Sequence, residues 1–161
     1  MKINLNEILK LVVSMIICLL AGAIGSIFTT PAIPSWYAAL VKPSFNPPNW
    51  VFAPVWSGLY LLMGISAFLV WRKGLDNRLV NSALRLFIIQ LILNTFWSIL
   101  FFGLRSPVLG LAEIIILWVA IFLTILSFFR VSKIAGILLV PYVLWVSFAA
   151  ILNFSIWRLN T

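Results

Sequence analysis

Five apolar runs set the terms for this chain: about Ile8–Phe28, Val51–Trp71, Leu84–Phe102, Val108–Phe129 and Ile134–Trp157. A helix needs roughly 20 apolar residues to cross the hydrocarbon of a bilayer. Each run is of that order, and the intervening segments are short apart from the one joining the first two. The expected fold is an all-α integral membrane protein, a bundle of five transmembrane helices forming a single domain over residues 1–161. Composition points the same way, with 64% hydrophobic and 9% charged residues. A soluble chain of this size cannot hide so much apolar surface from water. The first run also resembles a signal peptide, with Lys2 and Lys10 near its start and Ala21-Gly22-Ala23 as a cleavage-like triplet. Its apolar stretch continues to Phe28, long for a signal core, which favours a retained helix.

The formal charge of +8 would suggest nucleic acid in a soluble protein. Here the basic residues sit between apolar runs, where they act as topology signals and headgroup contacts, so no nucleic-acid partner is expected. Lys2, Lys10, Arg72, Lys73, Arg78, Arg85, Arg130 and Lys133 fall on one side, and Lys42, Arg105 and Arg158 on the other. The positive-inside rule then predicts a cytoplasmic N-terminus and an outer C-terminus in a prokaryotic inner membrane. Cys18 is the single cysteine, which excludes an intrachain disulfide. With no histidine and three acidic residues, the chain lacks the ligands of a zinc or non-haem iron site, and no metal or cofactor is expected. No Ser-His-Asp or Cys-His constellation can be assembled either.

The segment Thr30–Trp56 carries Pro31, Pro34, Pro43, Pro47, Pro48 and Pro54, with Trp36, Tyr37, Phe45 and Trp50 among them. Prolines fix φ and remove donors, so a stiff loop is predicted, with one helical turn at Ala38–Val41. Its aromatic residues read either as an interfacial belt or as the face of a Pro/Trp-rich lid between helices 1 and 2. In the third run Gln90, Asn94 and Ser98 recur at i, i+4 and i+8, with Trp97 beside Asn94. Amides facing lipid would lack partners, so this stripe should face inward. It is either interhelical glue or a polar wall for a ligand. The fifth run offers Trp145, Ala149 and Asn153 at the same spacing, flanked by Phe148 and Leu152. Large and small residues alternate there, as a recessed wall requires. Pro54 and Pro141 are candidate bends. Cys18, Gly22 and Ser26 form a small-residue ridge on helix one, suited to packing in the bundle or to a dimer contact. Glu113 is the one acidic residue inside a run, and a structural bond to another helix is its expected role.

The run SWYAALVKPSFNPPNWVFAPVWSGLYLLMGISAFLVWRKG, Ser35–Gly74, resembles the tryptophan-rich sensory protein/translocator protein family (TspO, the peripheral benzodiazepine receptor family). QLILNTFWSILFF (Gln90–Phe102), Glu113 and PYVLWVSFAAILNFSIWRLN (Pro141–Asn160) extend the likeness over nearly the whole chain. The resemblance implies five helices, a homodimer, and binding of porphyrins such as protoporphyrin IX or haem and of other flat hydrophobic ligands. It supports the lid, and it places Asn94, Trp97 and Ser98 at positions that line the family's pocket. The ligand-binding set it implies here is Trp36, Tyr37, Trp56, Asn94 and Trp97, with Ser98, Trp145, Phe148, Ala149 and Leu152. Trp56 and Trp145 also match positions linked to light- and oxygen-dependent porphyrin breakdown, and would be its catalytic residues if that chemistry operates. Lys42 is expected to pair with a ligand carboxylate at the mouth. Two departures stand out. Leu152–Arg158 lacks the Tyr of the sterol-recognition pattern of animal members, which argues against sterol. Phe45 replaces a frequent Trp in the loop. The function expected is a porphyrin-binding sensor or regulator, with transport or porphyrin degradation as alternatives.

Overall fold

The computed structural model describes residues 4–161. Lys2, assigned above to the more basic end, lies outside the described residues. Helix α1 spans Leu5–Ala32 and runs on through a π-helical turn, Ile33–Tyr37. Then follow α2 (Asn49–Trp71), α3 (Arg78–Ser98, ending in a second π-helical turn at Ile99–Gly103) and α4 (Pro107–Val131). The last membrane-length segment is split into α5 (Lys133–Leu138) and α6 (Val140–Leu159). Among the described residues five helical segments are long and apolar enough to cross a membrane, and the protein is an integral membrane protein.

Local chemistry explains where the helices begin. Asn4, Asn77, Ser106 and Ser132 each accept a bond from a first-turn backbone N–H with a side-chain oxygen. That bond satisfies a donor the helix itself leaves open. Pro107 follows its cap at the first helical position, where a missing N–H costs nothing. Pro141 stands at the start of α6 and accounts for the break at Leu139, the bend expected of it.

The prolines of the first connection act otherwise than predicted. Thr30–Tyr37 is helical, the helix continues through Ala39, and α2 already begins at Asn49. The first span therefore runs over 33 residues, Leu5–Tyr37, instead of ending near Phe28. Pro31 and Pro34 lie inside it, and the helix widens into the π turn at Pro34. A π turn gives room for the ring and for the carbonyl that proline leaves without a donor. Only Leu40–Pro48 remains as loop.

The helices close in the order α1, α2, α5/α6, α4, α3 and back to α1. At the end that holds the α1 N-terminus, packing is tight. Arg72 pairs with Glu7 at 2.8 Å and Lys10 sits over the Trp71 ring. Ser66 donates to the Ala135 carbonyl at 2.7 Å, and the Phe87 and Phe128 rings stack between α3 and α4. A Cβ on Gly64 would come within 2.8 Å of the Met15 Cα, so glycine is what lets α1 and α2 touch there.

Candidate functional site

Towards the other end the helices stand apart around a cavity of about 410 Å³, within the size range of small-molecule sites. Residues on α2 supply one wall: Phe52, Trp56 and Tyr60, spaced i, i+4 and i+8 and so on one face. Trp56 and Tyr60 stack with centroids 5.7 Å apart. Helix α1 supplies a wall of small residues, Gly22, Gly25, Ser26 and Thr29. A Cβ on Gly22 would lie 2.4 Å from Tyr60 Cε2, so this glycine makes room for the ring. Of the small-residue ridge of α1, Cys18 is buried in the bundle and Gly22 and Ser26 border the cavity, Ser26 being exposed as well.

Helix α3 brings Asn94, Trp97 and Ser98 to the cavity, and its π turn adds Phe101 and Phe102. Asn94 is bonded on both sides. Its Oδ1 accepts from the Tyr60 hydroxyl at 2.5 Å, and its Nδ2 donates to the Tyr142 oxygen at 3.1 Å. Asn94 therefore joins three helices, the interhelical role weighed for the α3 stripe, and it also borders the cavity. Such interhelical bonds are worth roughly 0.6–2 kcal/mol each in a membrane. Trp97 Nε1 donates to Asn153 Oδ1 at 3.2 Å, and Asn153 Nδ2 donates to the Pro107 carbonyl at 2.7 Å. These bonds orient the Trp97 ring and tie α3, α4 and α6 together behind it.

From α6 come Trp145, Ala149, Leu152, Asn153 and Ile156. Large and small residues alternate here as the sequence suggests, and Ala149 makes the recess. Phe52 meets Trp145 edge-on at 6.0 Å, so rings bridge α2 and α6 where their backbones diverge. Tyr37 also lines the cavity, its hydroxyl donating to Asn46 Oδ1 at 2.8 Å. That bond and the paired contacts of Asn160 with the Val41 N–H and carbonyl hold the Leu40–Pro48 loop against the bundle.

Two members of the expected set stand off the cavity wall. The π turn carries Trp36 against Phe101 and Phe102, outside the cavity. Phe148 packs between Trp145 and the loop residue Phe45, and supports the wall from behind. The predicted aromatic face of the loop is divided, since Tyr37 is buried while Trp50 is 74% exposed and suits a headgroup-level position. Lys42 donates to the Ala38 and Leu40 carbonyls and lies 4.7 Å from the Tyr37 ring centroid, and it is not part of the cavity wall. Glu113 is buried on α4, but neither carboxyl oxygen has a hydrogen-bond partner among the described residues, contrary to the interhelical bond expected. Gln90 is likewise buried without a partner. Trp145 Nε1 shares that condition although its ring borders the cavity.

Sequence reasoning missed Tyr60, Tyr142, Phe52 and the α1 wall. The signal for the α2 wall was present, because Phe52 and Tyr60 lie one helical turn on either side of Trp56. Among the described residues no three metal-ligating side chains cluster, and Cys18 and Met63 are buried away from the cavity.

Comparison with known proteins joins this architecture to a family. The sequence profile of the TspO/MBR family matches residues 14–158. The chain is 49% identical to tryptophan-rich protein TspO of Chlorobaculum tepidum over 96% of its own length and 98% of that protein. It is 47% identical to the protein of the same name in Archaeoglobus fulgidus, over 96% of this chain and 99% of the relative. Translocator protein of Homo sapiens is 39% identical, over 85% and 82% of the two chains. With full-length identities of this size and a five-helix membrane bundle, this chain belongs to the TspO/MBR family.

Proposed function

We propose that the protein is a membrane receptor for a planar hydrophobic ligand of the porphyrin class, acting as a sensor or regulator. One observation carries this reading: Trp56, Trp97 and Trp145, from three different helices, border a single cavity beside the Asn94 amide. Indole rings offer flat apolar area with few torsions to freeze, and they stack on conjugated ligands in offset or edge-on geometry. Ser98 from α3 and Tyr60 from α2 bring hydroxyls to the same cavity. Burying ligand carboxylates unpaired would be costly, and Lys42, beside the cavity residue Tyr37, is the cation offered to one of them. The positive-inside rule puts the cavity end of the bundle on the outer side and the more basic end in the cytoplasm. With no histidine in the chain, axial ligation of haem iron is not part of the reading. Free-base protoporphyrin IX should bind about as well as haem.

The test is a titration of purified protein in darkness with protoporphyrin IX and, separately, with a sterol, read by tryptophan quenching. Saturable quenching by the porphyrin alone is expected. Binding of the sterol but not the porphyrin would overturn the ligand class.

A second reading rests on Trp56 and Trp145 bordering the same space. Indoles held against a photoexcited ligand are oxidisable, which would give light- and oxygen-dependent porphyrin breakdown. Under illumination in air, Trp56→Phe combined with Trp145→Phe should then abolish product formation. Unchanged product would remove these residues from the chemistry. Some relatives carry the name translocator protein. Transport would require saturable flux across proteoliposomes above the protein-free leak.

A further inference from the structure

The indoles that border the cavity have different ring neighbours. Trp97 stacks on Phe101 and meets Phe102 edge-on. Trp145 meets Phe52 and Phe148. Among the described residues only Trp56 of these indoles has phenols beside it: Tyr60 stacked at 5.7 Å with 30° between the planes, and Tyr142 edge-on at 6.3 Å. A phenyl ring is far harder to oxidise than an indole, so an oxidising equivalent formed on Trp97 or Trp145 stays there. A phenol competes with an indole once its proton can leave. The two phenols differ in that proton. The Tyr60 hydroxyl donates to Asn94 Oδ1 at 2.5 Å. Tyr142 instead accepts from Asn94 Nδ2 at 3.1 Å, and its hydroxyl donates no hydrogen bond among the described residues. A bond donated to a phenol oxygen withdraws electron density and opposes oxidation, whereas a bond donated by the phenol carries its proton away as the electron leaves. Asn94 thus prepares Tyr60, and not Tyr142, for oxidation.

We propose that Tyr60 takes the oxidising equivalent from Trp56, so that Trp56 is restored after each light-driven oxidation while Trp145, with no such neighbour, accumulates the damage. The inference rests on the photochemical reading above. A photoexcited porphyrin takes one electron from Trp56 and passes it to dioxygen, which leaves superoxide and the Trp56 radical cation. Tyr60 returns one electron to Trp56 across the stacked rings. Its O–H bond breaks, and the proton moves to Asn94 Oδ1 and out through the cavity that Asn94 borders. Trp56 is whole again, Tyr60 is a neutral phenoxyl radical, and one proton has been released. A radical cation on Trp56 is a charge beside an apolar cavity, where it is costly, and the neutral phenoxyl relieves that cost.

The experiment illuminates the purified full chain with protoporphyrin IX in air and freezes it. Radicals are read by electron paramagnetic resonance and oxidised side chains by peptide mass spectrometry. Ring-deuterated tyrosine identifies a tyrosyl signal by its narrowing, and Tyr→Phe variants assign it among Tyr37, Tyr60 and Tyr142. The expected signal narrows on deuteration, is lost in Tyr60→Phe and in Trp56→Phe, and persists in Tyr142→Phe. In the unaltered chain Trp145 should be oxidised more than Trp56, and Tyr60→Phe should raise oxidation of Trp56 several-fold. A tyrosyl signal that survives Trp56→Phe would mean direct oxidation by the ligand and would overturn the relay. So would ligand breakdown without a tyrosyl radical, a signal lost in Tyr142→Phe alone, or equal oxidation of Trp56 and Trp145 in the unaltered chain. No radical and no ligand breakdown would overturn the photochemical reading itself, and the relay with it. If Tyr60→Phe fails to fold, the deuterium narrowing and Trp56→Phe read the same step with Tyr60 in place.

Discussion

The two ends of the bundle are built from the same helices yet do opposite things. At the end holding the α1 N-terminus, Met63, Val70, Val80, Ala83, Phe87, Ile121 and Phe128 are buried and interlocked. Toward the other end Trp56, Trp97 and Trp145 are only partly buried, and a cavity lies between them. The difference comes from where small residues are placed. Gly64 and Ala67 on α2 and Ala135 on α5 let backbones close at the packed end. At the open end the small residues sit opposite rings, Gly22 facing Tyr60, and α2 and α6 meet there through ring-to-ring contacts such as Phe52 with Trp145.

The largest effect should come from truncating matched aromatic side chains at the two ends. Phe87→Ala removes a ring stacked on Phe128 and should cost about 3–5 kcal/mol, read as a lower unfolding midpoint in detergent. Trp145→Ala, at a ring that already borders open space, should cost clearly less stability but weaken porphyrin binding about tenfold. Equal stability losses, or unchanged affinity in Trp145→Ala, would break the contrast. Gly64→Ala is expected next, at about 1–3 kcal/mol, because its Cβ would meet the Met15 backbone at 2.8 Å and backbone cannot step aside. Asn94→Leu should follow with a loss of about 1–3 kcal/mol, since it leaves the Tyr60 and Tyr142 hydroxyls without their partner. It should also weaken ligand binding, whereas Gly64→Ala should leave binding by the folded fraction unchanged. The smallest effect is predicted for Glu113→Leu. Its carboxyl has no partner to lose among the described residues, so the unfolding midpoint should hold or rise. A marked fall would mean that Glu113 does bond within the bundle.

Much of this was legible in the chain. The length and apolarity of the five runs require helices once lipid is the solvent, because backbone groups there must bond within their own segment. The i, i+4 spacing of Asn94 and Ser98 on α3, and of Trp145, Ala149 and Asn153 on α6, put these residues inward, where they border the cavity. The same rule, applied to Trp56, would have found Phe52 and Tyr60. Two failures were of another kind. The prolines of Thr30–Trp56 read as loop, but Pro31 and Pro34 are carried in a helix that relaxes into a π turn, and the rotation that results sends Trp36 to Phe101 and Phe102. Phe148, adjacent to a cavity residue in sequence, ends behind Trp145 because Phe45 of the loop covers it.

By itself, the sequence determined the number of spans, the inward faces of α3 and α6, and the family, since apolar length, periodicity and motif are properties of one segment at a time. Only the tertiary structure decided that the helices close into a ring, that Asn94 bonds two tyrosines from different helices, and that a space of about 410 Å³ remains. Those outcomes depend on how side chains from distant segments meet. A Gly22 set against a Tyr60 decides whether two helices touch or leave room, and neither residue carries that information alone.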